Sequence, residues 1–435
     1  SIELITKNIK PNTLIIVPKS LLNQWKSEFE KFAHHVHVTF DEELYHNTDQ
    51  NIIHVHIASH SKMNAKNTDI ENNVFTRIQW DRVIVDEAHV LKNHRSKIHK
   101  ACANLQTDIK WALSATPVMN KMEDFINIIK WVGIPQNICQ NYTKDIVKYF
   151  TKRRTKEDVC SENIKLELPK CHIENVKLNF ETSYELDMYI DVYNGMRDKM
   201  LEIAQTQSTQ NIVKALELLL RVRQICCHPN IFIECMEKKY KTLSSFAEKN
   251  IQSTKLLTIL KDIKSTPKED KCLIFCHFIR EMDFYCDSLK SEGFDIARLD
   301  GSMDNIKRSF NVNKFNTDQS CKVMVIQVNS GGVGFNFQVA NRLYITSPTW
   351  NPSLQHQVIG RAHRTGQKKE VYVKIYSIKS ENENETFIED YIKNLQKVKL
   401  KMISEVLGDS RLFPNINATK IISFSDVSKM FKNKL

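Results

Sequence analysis

Short runs of β-branched and aromatic apolar residues recur along this chain, and in two stretches they alternate with amphipathic helical spacing. In the first stretch TLIIVP (13–18), NIIHVHIAS (51–59), RVIVD (82–86) and WALSAT (111–116) read as strands, with LLNQWKSEFEKF (21–32) and residues 96–105 as helices between them. In the second, KCLIFC (271–276), IARLDG (296–301), KVMVIQ (322–327), RLYITS (342–347) and VYVKIYSI (371–378) read as strands. Strands alternating with helices predict βαβ units and a parallel sheet covered on both faces. From about 136 to 260 strand signals thin out, and residues 184–197 and 211–225 carry helical periodicity instead. The chain therefore reads as two α/β blocks split by a helical insertion. Past Ser380 a polar SENENE run reads as a linker. Residues 386–407 then read as one long amphipathic helix that packs back on the body.

In VIVDEAH an acidic pair leaves the carboxyl end of a buried strand, where α/β sheets place their ligands. That position suits Asp86 as a Mg²⁺ ligand and Glu87 as the group that orients and deprotonates an attacking water. The plain alternative is a strand that ends in solvated acids. Ser114-Ala115-Thr116-Pro117 closes the next strand, and its hydroxyls could link a nucleotide site to a second lobe or simply form a polar turn. In QHQVIGRAHRTGQ (355–367), Arg361 and Arg364 lie three apart on a predicted helix and share a face. Such a pair can stabilise charge on a transferring phosphoryl group. NSGGVGFNF (329–337) has glycines that allow close backbone approach to a phosphate, among them Gly332 and Gly334. It is not a phosphate loop of the Gly-Lys-Thr/Ser kind, and the first glycine in the chain is Gly133.

With 435 residues, 41% hydrophobic and 26% charged, the chain has room for two or three domains with their own cores. No apolar run approaches membrane-spanning length and no charged-then-apolar leader pattern is seen, so neither a membrane span nor secretion is expected. Eleven scattered cysteines predict reduced thiols in a cytosolic or nuclear setting. A net charge of +11 favours a polyanionic partner.

Together these segments resemble the Swi/Snf-type ATPases of helicase superfamily 2, ATP-driven translocases on double-stranded DNA. LIIVPKSLLNQW (14–25) and IASHSKM (57–63) resemble the family's first DNA-contacting motifs. WDRVIVDEAHVLKNHRSKIHKA (80–101) resembles its magnesium motif and ALSATPVMN (112–120) its third motif. KRRTKEDV (152–159) with LPK (168–170) resembles the entry to the helical protrusions. LLRVRQICCHP (219–229) is similar to the branch of helicase-like transcription factor and the post-replication-repair translocases. KCLIFCHF, ARLDGSM, QVNSGGVGFNF, TSPTWNP and QHQVIGRAHRTGQ match motifs of the second lobe, and TFIEDYIKNLQ resembles the C-terminal brace.

The resemblance implies two RecA-like parallel-sheet lobes with a helical insertion and a brace helix. The corresponding bounds are 1–135, 136–255, 256–380 and 381–435. It implies ATP and Mg²⁺ as cofactors, with Asp86, Glu87, Arg361 and Arg364 catalytic. His89, Ser114, Thr116, Gly332, Gly334 and Gln357 fall in the nucleotide-binding and coupling set. Lys19, Ser20, Asn329, Ser330, Trp350 and Asn351 fall in the DNA-binding set. The implied partner is double-stranded DNA, with nucleosomes or other DNA-bound complexes, for a monomeric motor off the membrane. The implied setting is the nucleus, or a cytoplasmic replication site for a large DNA virus. The family's Gly-Lys-Thr/Ser loop is missing, so the chain is expected to begin just after it and to hydrolyse little ATP alone. A non-catalytic DNA-binding accessory protein is the alternative. A DEAH-type RNA helicase shares the tetrapeptide but lacks the LLRVRQICCHP, ARLDGSM and TSPTWNP segments.

Thr349 replaces the first residue of the family's double tryptophan, and Gly360 stands at a commonly acidic position. Cys226, Cys227, His228 and Cys235 are too few and wrongly spaced for a RING domain, so no zinc is expected. His54 and His56 alternate on one strand face, a pair that could chelate or could flank a strand near the surface. Cys272 and Cys276 share a strand face and read as buried thiols.

Overall fold

The computed structural model describes residues 12–40, 53–63, 73–119, 121–154, 158, 168–206, 209–240, 251–331, 335–382 and 386–407. These fall into two compact units. One runs up to Arg153 and also takes the end of the C-terminal helix from Lys399; the other runs from Arg154 to Val398.

In the first unit, β1 (Asn12–Val17), β2 (His37–Phe40), β3 (His54–Ser59), β4 (Arg82–Val85) and β5 (Ile109–Ala112) form a parallel sheet in the order β2-β3-β1-β4-β5. β1, β3 and β4 lie inside it, and apart from Asn12 their residues are buried. A parallel strand covered on both faces needs apolar side chains at odd and even positions alike, and LIIV and VIV supply them. β2 lies outside the expected strands: HVTF is too short and polar to signal from sequence, and it is held by pairing with β3. β5 ends at Ala112, short of the expected Thr116, and all four of its residues are partly exposed. Helices Lys97–Ala103 and Met122–Val132 bury Ile98, Cys102, Ile128 and Trp131 against Leu14, Ile16, Val83 and Val85. Each such buried aliphatic or aromatic side chain is worth about 1.5–3 kcal/mol of transfer free energy.

The second unit is built on a six-stranded parallel sheet. Its strands are β6 (Cys171–Leu178), β7 (Cys272–Cys276), β8 (Asp295–Leu299), β9 (Cys321–Gln327), β10 (Arg342–Ile345) and β11 (Val371–Ile378), in the order β6-β11-β10-β7-β9-β8. β6 falls inside the stretch read as helical. It is an edge strand with most residues solvent-facing, and CHIENVKL has no apolar alternation to announce it. Among the described residues of that stretch, Ser183–Thr206, Thr209–Cys227 and Pro229–Tyr240 are helical as expected. The helix Ile388–Leu407 starts in the core of this unit, with Ile388 and Ile392 against Tyr189, Tyr193, Val222 and Phe232. Among the described residues no helix is long and apolar enough to cross a membrane.

One buried charge pair fastens that helix. Lys255 Nζ lies 2.6 Å and 2.7 Å from the two oxygens of Glu389, and both side chains are fully enclosed. Glu389 also accepts from Ser347 Oγ at 2.5 Å and from the Ile378 amide at 2.6 Å. Burial by itself would lower the Lys255 pKa, but Glu389 and the nearby thiols raise it on balance, so the ammonium stays charged.

Candidate nucleotide site

β4 delivers Asp86 to the carboxyl end of the first sheet, where its amide still continues the ladder by donating to Ile16 O at 2.8 Å. The next residue, Glu87, takes φ 48°, ψ 48°, and among the described residues it is the one non-glycine with positive φ. A left-handed glutamate costs on the order of 1–2 kcal/mol. The turn is held by Glu87 N donating to Asp86 Oδ1 at 2.8 Å and Ala88 N to Leu113 O at 2.8 Å. It drives the chain out of β4 into the short 3-10 segment Ala88–Lys92 and leaves both carboxylates half-buried at the sheet end.

Two further groups reach Asp86. Trp25 Nε1 donates to Asp86 Oδ2 at 2.9 Å, and His60 Nε2 lies 2.9 Å from the Asp86 carbonyl oxygen. A carbonyl can only accept, so the Nε2 of His60 carries the proton. Burial lowers the His60 pKa, and the bond to Asp86 opposes that shift. His89 Nδ1 stands 3.2 Å from Glu87 Oε2, near enough to pair electrostatically when protonated but not aligned as a hydrogen bond. Glu87 Oε2 thus accepts no hydrogen bond among the described residues.

β5 pairs with β4 through Val85 and Ala112, so Ser114 and Thr116 follow at the same sheet end as Asp86. Thr116 N donates to Ser114 Oγ at 3.1 Å, and the Thr116 hydroxyl faces Met119 Sδ at 3.6 Å. Thr116 is buried and Ser114 half-exposed, so Ser114 is the hydroxyl open to solvent. The carboxylates of Asp86 and Glu87 are hard oxygen donors of the kind Mg²⁺ prefers, and Glu87 Oε2, with His89 Nδ1 3.2 Å away, accepts no hydrogen bond among the described residues. In donor chemistry these two carboxylates fit a divalent cation such as Mg²⁺. Lys19 is exposed and Ser20 half-buried in the 3-10 turn Lys19–Leu21 that follows β1.

In the second unit the helix Pro352–Gly360 stops before either arginine. Arg361 is its C-cap, donating to the carbonyls of Ile359 and Val358, and Arg364 lies in the turn beyond. The expectation of two arginines on one helical face is therefore corrected: they sit on consecutive turns of irregular chain that ends at Gly366, φ 96°. Gln357 is half-buried on that helix. Asn351 caps it, its side chain accepting from Ser353 N at 3.0 Å. Trp350 packs partly buried against the core that holds Tyr189 and Ile392. Asn329 is exposed and Ser330 donates to Gln327 Oε1 at 3.1 Å, in the single turn Val328–Gly331. Gly332 and Gly334 lie outside the described residues.

Thr349, in place of a tryptophan, is buried and polar. Its hydroxyl donates to Asn351 O at 2.6 Å, and Gln396 of the C-terminal helix donates to its carbonyl at 2.7 Å. Gly360 has open space around the position of a Cβ, so nothing in the packing demands glycine there. The surface reading of His54 and His56 is also corrected. Both are buried, and the Thr39 hydroxyl bridges His54 Nε2 at 3.0 Å and His56 Nδ1 at 2.8 Å. Cys272 and Cys276 are buried as expected, and burial pushes the Cys272 thiol up to about 12. Sequence reasoning missed Trp25 and His60 as partners of Asp86. No signal in the motifs pairs them; only the order β3-β1-β4 brings the three together.

The SNF2-related domain model matches residues 3–140 and the helicase conserved C-terminal domain model residues 252–366, between them more than half of the chain. The chain is 26% identical to the probable global transactivator of Orgyia pseudotsugata multicapsid polyhedrosis virus, over 96% of this chain and 84% of that protein. It is 24% identical to the DNA repair protein RAD5B of Arabidopsis thaliana, over 94% of this chain but 42% of the plant protein. Against the Sulfolobus solfataricus SWI2/SNF2 ATPase core in complex with dsDNA it has a TM-score of 0.43 at 22% identity, covering 94% of this chain and 85% of that one. With these two domains in this order, the chain belongs to the Swi/Snf-type family of helicase-like ATPases.

Proposed function

We propose that this chain is the motor region of an ATP-dependent translocase on double-stranded DNA, acting as a monomer to remodel DNA–protein complexes. The observation that carries the reading is the Asp86–Glu87 pair, held at the end of β4 by a strained turn with a solvent-open Ser114 beside it. Strain of this kind concentrates where geometry serves function. In this reading Asp86 would hold Mg²⁺, and Glu87 would take the proton of an attacking water. ATP would supply the phosphoryl group and Mg²⁺ would offset its charge, a transfer that needs positioning and charge stabilisation more than covalent help. His89, Thr116, Gln357, Gly332 and Gly334 belong to the nucleotide-binding and coupling set, and Arg361 and Arg364 stabilise phosphoryl charge.

Lys19, Ser20, Asn329, Ser330, Trp350 and Asn351 line the DNA path, contacting phosphate and sugar, which suits movement along any sequence. Similarity to a DNA repair protein and to a viral transactivator supports work in the nucleus or at a viral replication site.

The test is ATP hydrolysis by the gene product that carries this chain, with and without duplex DNA. Glu87→Gln is expected to lower the DNA-stimulated rate by about 10²–10⁴-fold and to leave duplex binding intact. Full activity in Glu87→Gln would contradict the assignment. One observation favours a second reading, a DNA-binding accessory protein: none of the ten glycines is followed by lysine, so no phosphate loop lies within these 435 residues. That reading predicts duplex binding with no hydrolysis by the gene product.

A further inference from the structure

The two segments that resemble DNA-contacting motifs both end on the same residue. LIIVPKSLLNQW is β1 and the start of the helix Leu22–Phe32, and it brings the Trp25 indole to Asp86 Oδ2 at 2.9 Å. IASHSKM is the end of β3 and the turn His60–Met63, and it brings the His60 ring to the Asp86 carbonyl at 2.9 Å. One segment therefore holds the side chain of Asp86 and the other its main chain. We propose that Trp25 and His60 are positioning residues that tie the orientation of Asp86 to the DNA path. Engagement of duplex DNA by these two segments then sets the aim of the carboxylate, and occupancy of the carboxylate is felt by the DNA-binding segments in return. This rests on the reading of Asp86 as the Mg²⁺ ligand and of the two segments as part of the DNA path.

The chemistry of the donors argues for tuning rather than neutralisation. A lysine or arginine against Asp86 would cancel the charge that a divalent cation needs. An indole N–H fixes the direction of one oxygen and leaves the negative charge in place, through a charge-assisted hydrogen bond. Trp25 and His60 are both only half-buried, so neither is simply core that happens to find an acceptor. The sheet order puts β1 between β3 and β4, so the exits of β1 and β3 lie on the flank of Asp86 and can act on it directly. By linkage, whatever DNA does to Asp86, a cation on Asp86 must do to DNA binding by the same factor.

The test uses the chain labelled with ¹⁵N at its five tryptophans, whose indole N–H signals are separable, with Trp25 assigned by its loss in Trp25→Phe. Duplex binding is followed in parallel by fluorescence anisotropy at low salt, with a mixed-sequence oligonucleotide. Adding the duplex is expected to shift the Trp25 indole signal, and adding Mg²⁺ alone is expected to shift it too. His60→Leu, which removes the ring N–H, is expected to abolish the DNA-induced shift, and His60→Gln, which restores a donor of similar reach, to recover it. Each spectrum is recorded at a duplex concentration that anisotropy shows to be saturating for that variant, so a change in affinity does not enter the comparison. A Trp25 signal that stays still while anisotropy reports bound duplex would overturn the proposal. Equal DNA-induced shifts in His60→Leu and the parent would overturn the part assigned to His60. Failure of the parent chain to bind duplex would instead bring down the DNA reading itself, and the Mg²⁺-induced shift would then decide the Asp86–Trp25 tie alone.

Discussion

Glu87 shows at the level of one residue how the site trades stability for geometry. Its left-handed backbone is strained for any side chain with a Cβ, and glycine would relieve it. Glu87→Gly is therefore expected to hold or raise the melting temperature while removing hydrolysis; a clear drop in melting temperature would show that the turn is not strained. The buried histidines make a second residue-scale prediction. Burial, then the neighbouring His37 and His56, lower the His54 pKa to about 4. Burial and Arg280 lower that of His228 to about 3, and its ring stacks on Phe284 with centroids 3.9 Å apart. Both are neutral in the folded chain at pH 5, whereas the unfolded chain protonates them near pH 6.5. The unfolded state thus binds more protons in that window, and stability must fall as pH drops from about 6.5 toward 4. The slope is on the order of 1.4 kcal/mol per pH unit for each such histidine. Urea titrations at pH 7 and pH 5 read this directly, and His228→Phe is expected to flatten the dependence by one proton.

At the scale of elements, the C-terminal helix depends on a buried ion pair that no apolar neighbour can replace singly. Glu389→Ala leaves the Lys255 ammonium enclosed without its partner and is expected to cost about 3–5 kcal/mol, with Lys255→Met together with Glu389→Leu costing much less. Chemical denaturation of the single and double variants tests it, and a mild Glu389→Ala would mean that water reaches Lys255. Gly360→Ala, at an open position in the last turn of its helix, is expected to stabilise by about 0.4–1 kcal/mol. The elements also show what could be read in advance. β1, β4, β7 and β9 were legible within a residue or two, because a fully covered parallel strand must be apolar throughout. β2 and β6 were not, because edge strands take their pairing from a neighbour and can be polar. The end of the helix at Gly360 was also missed, since Arg361 to Gly366 offer no proline and keep apparent helical spacing. The Asp86–Glu87 pair was legible as acids closing an apolar run, and Trp25 as part of a segment resembling a DNA-path motif, while the bonds of Trp25 and His60 to Asp86 were invisible until the strand order was known.

For the whole molecule, the net charge of +11 and the proposed phosphate contacts make one quantitative demand on DNA binding. The affinity for duplex is expected to fall linearly with salt on logarithmic axes, with a slope of about −0.9 for each phosphate neutralised, and to be the same for unrelated sequences. Lys19→Ala should shallow that slope by about one and weaken all sequences alike. The central claim is movement along intact duplex, and displacement of a third strand from a DNA triplex measures it most directly. With the gene product that carries this chain, the third strand should be released only when ATP and Mg²⁺ are present, while the underlying duplex stays paired, and Glu87→Gln should release none. Separation of the duplex strands, or ATP hydrolysis without any release of the third strand, would contradict the account.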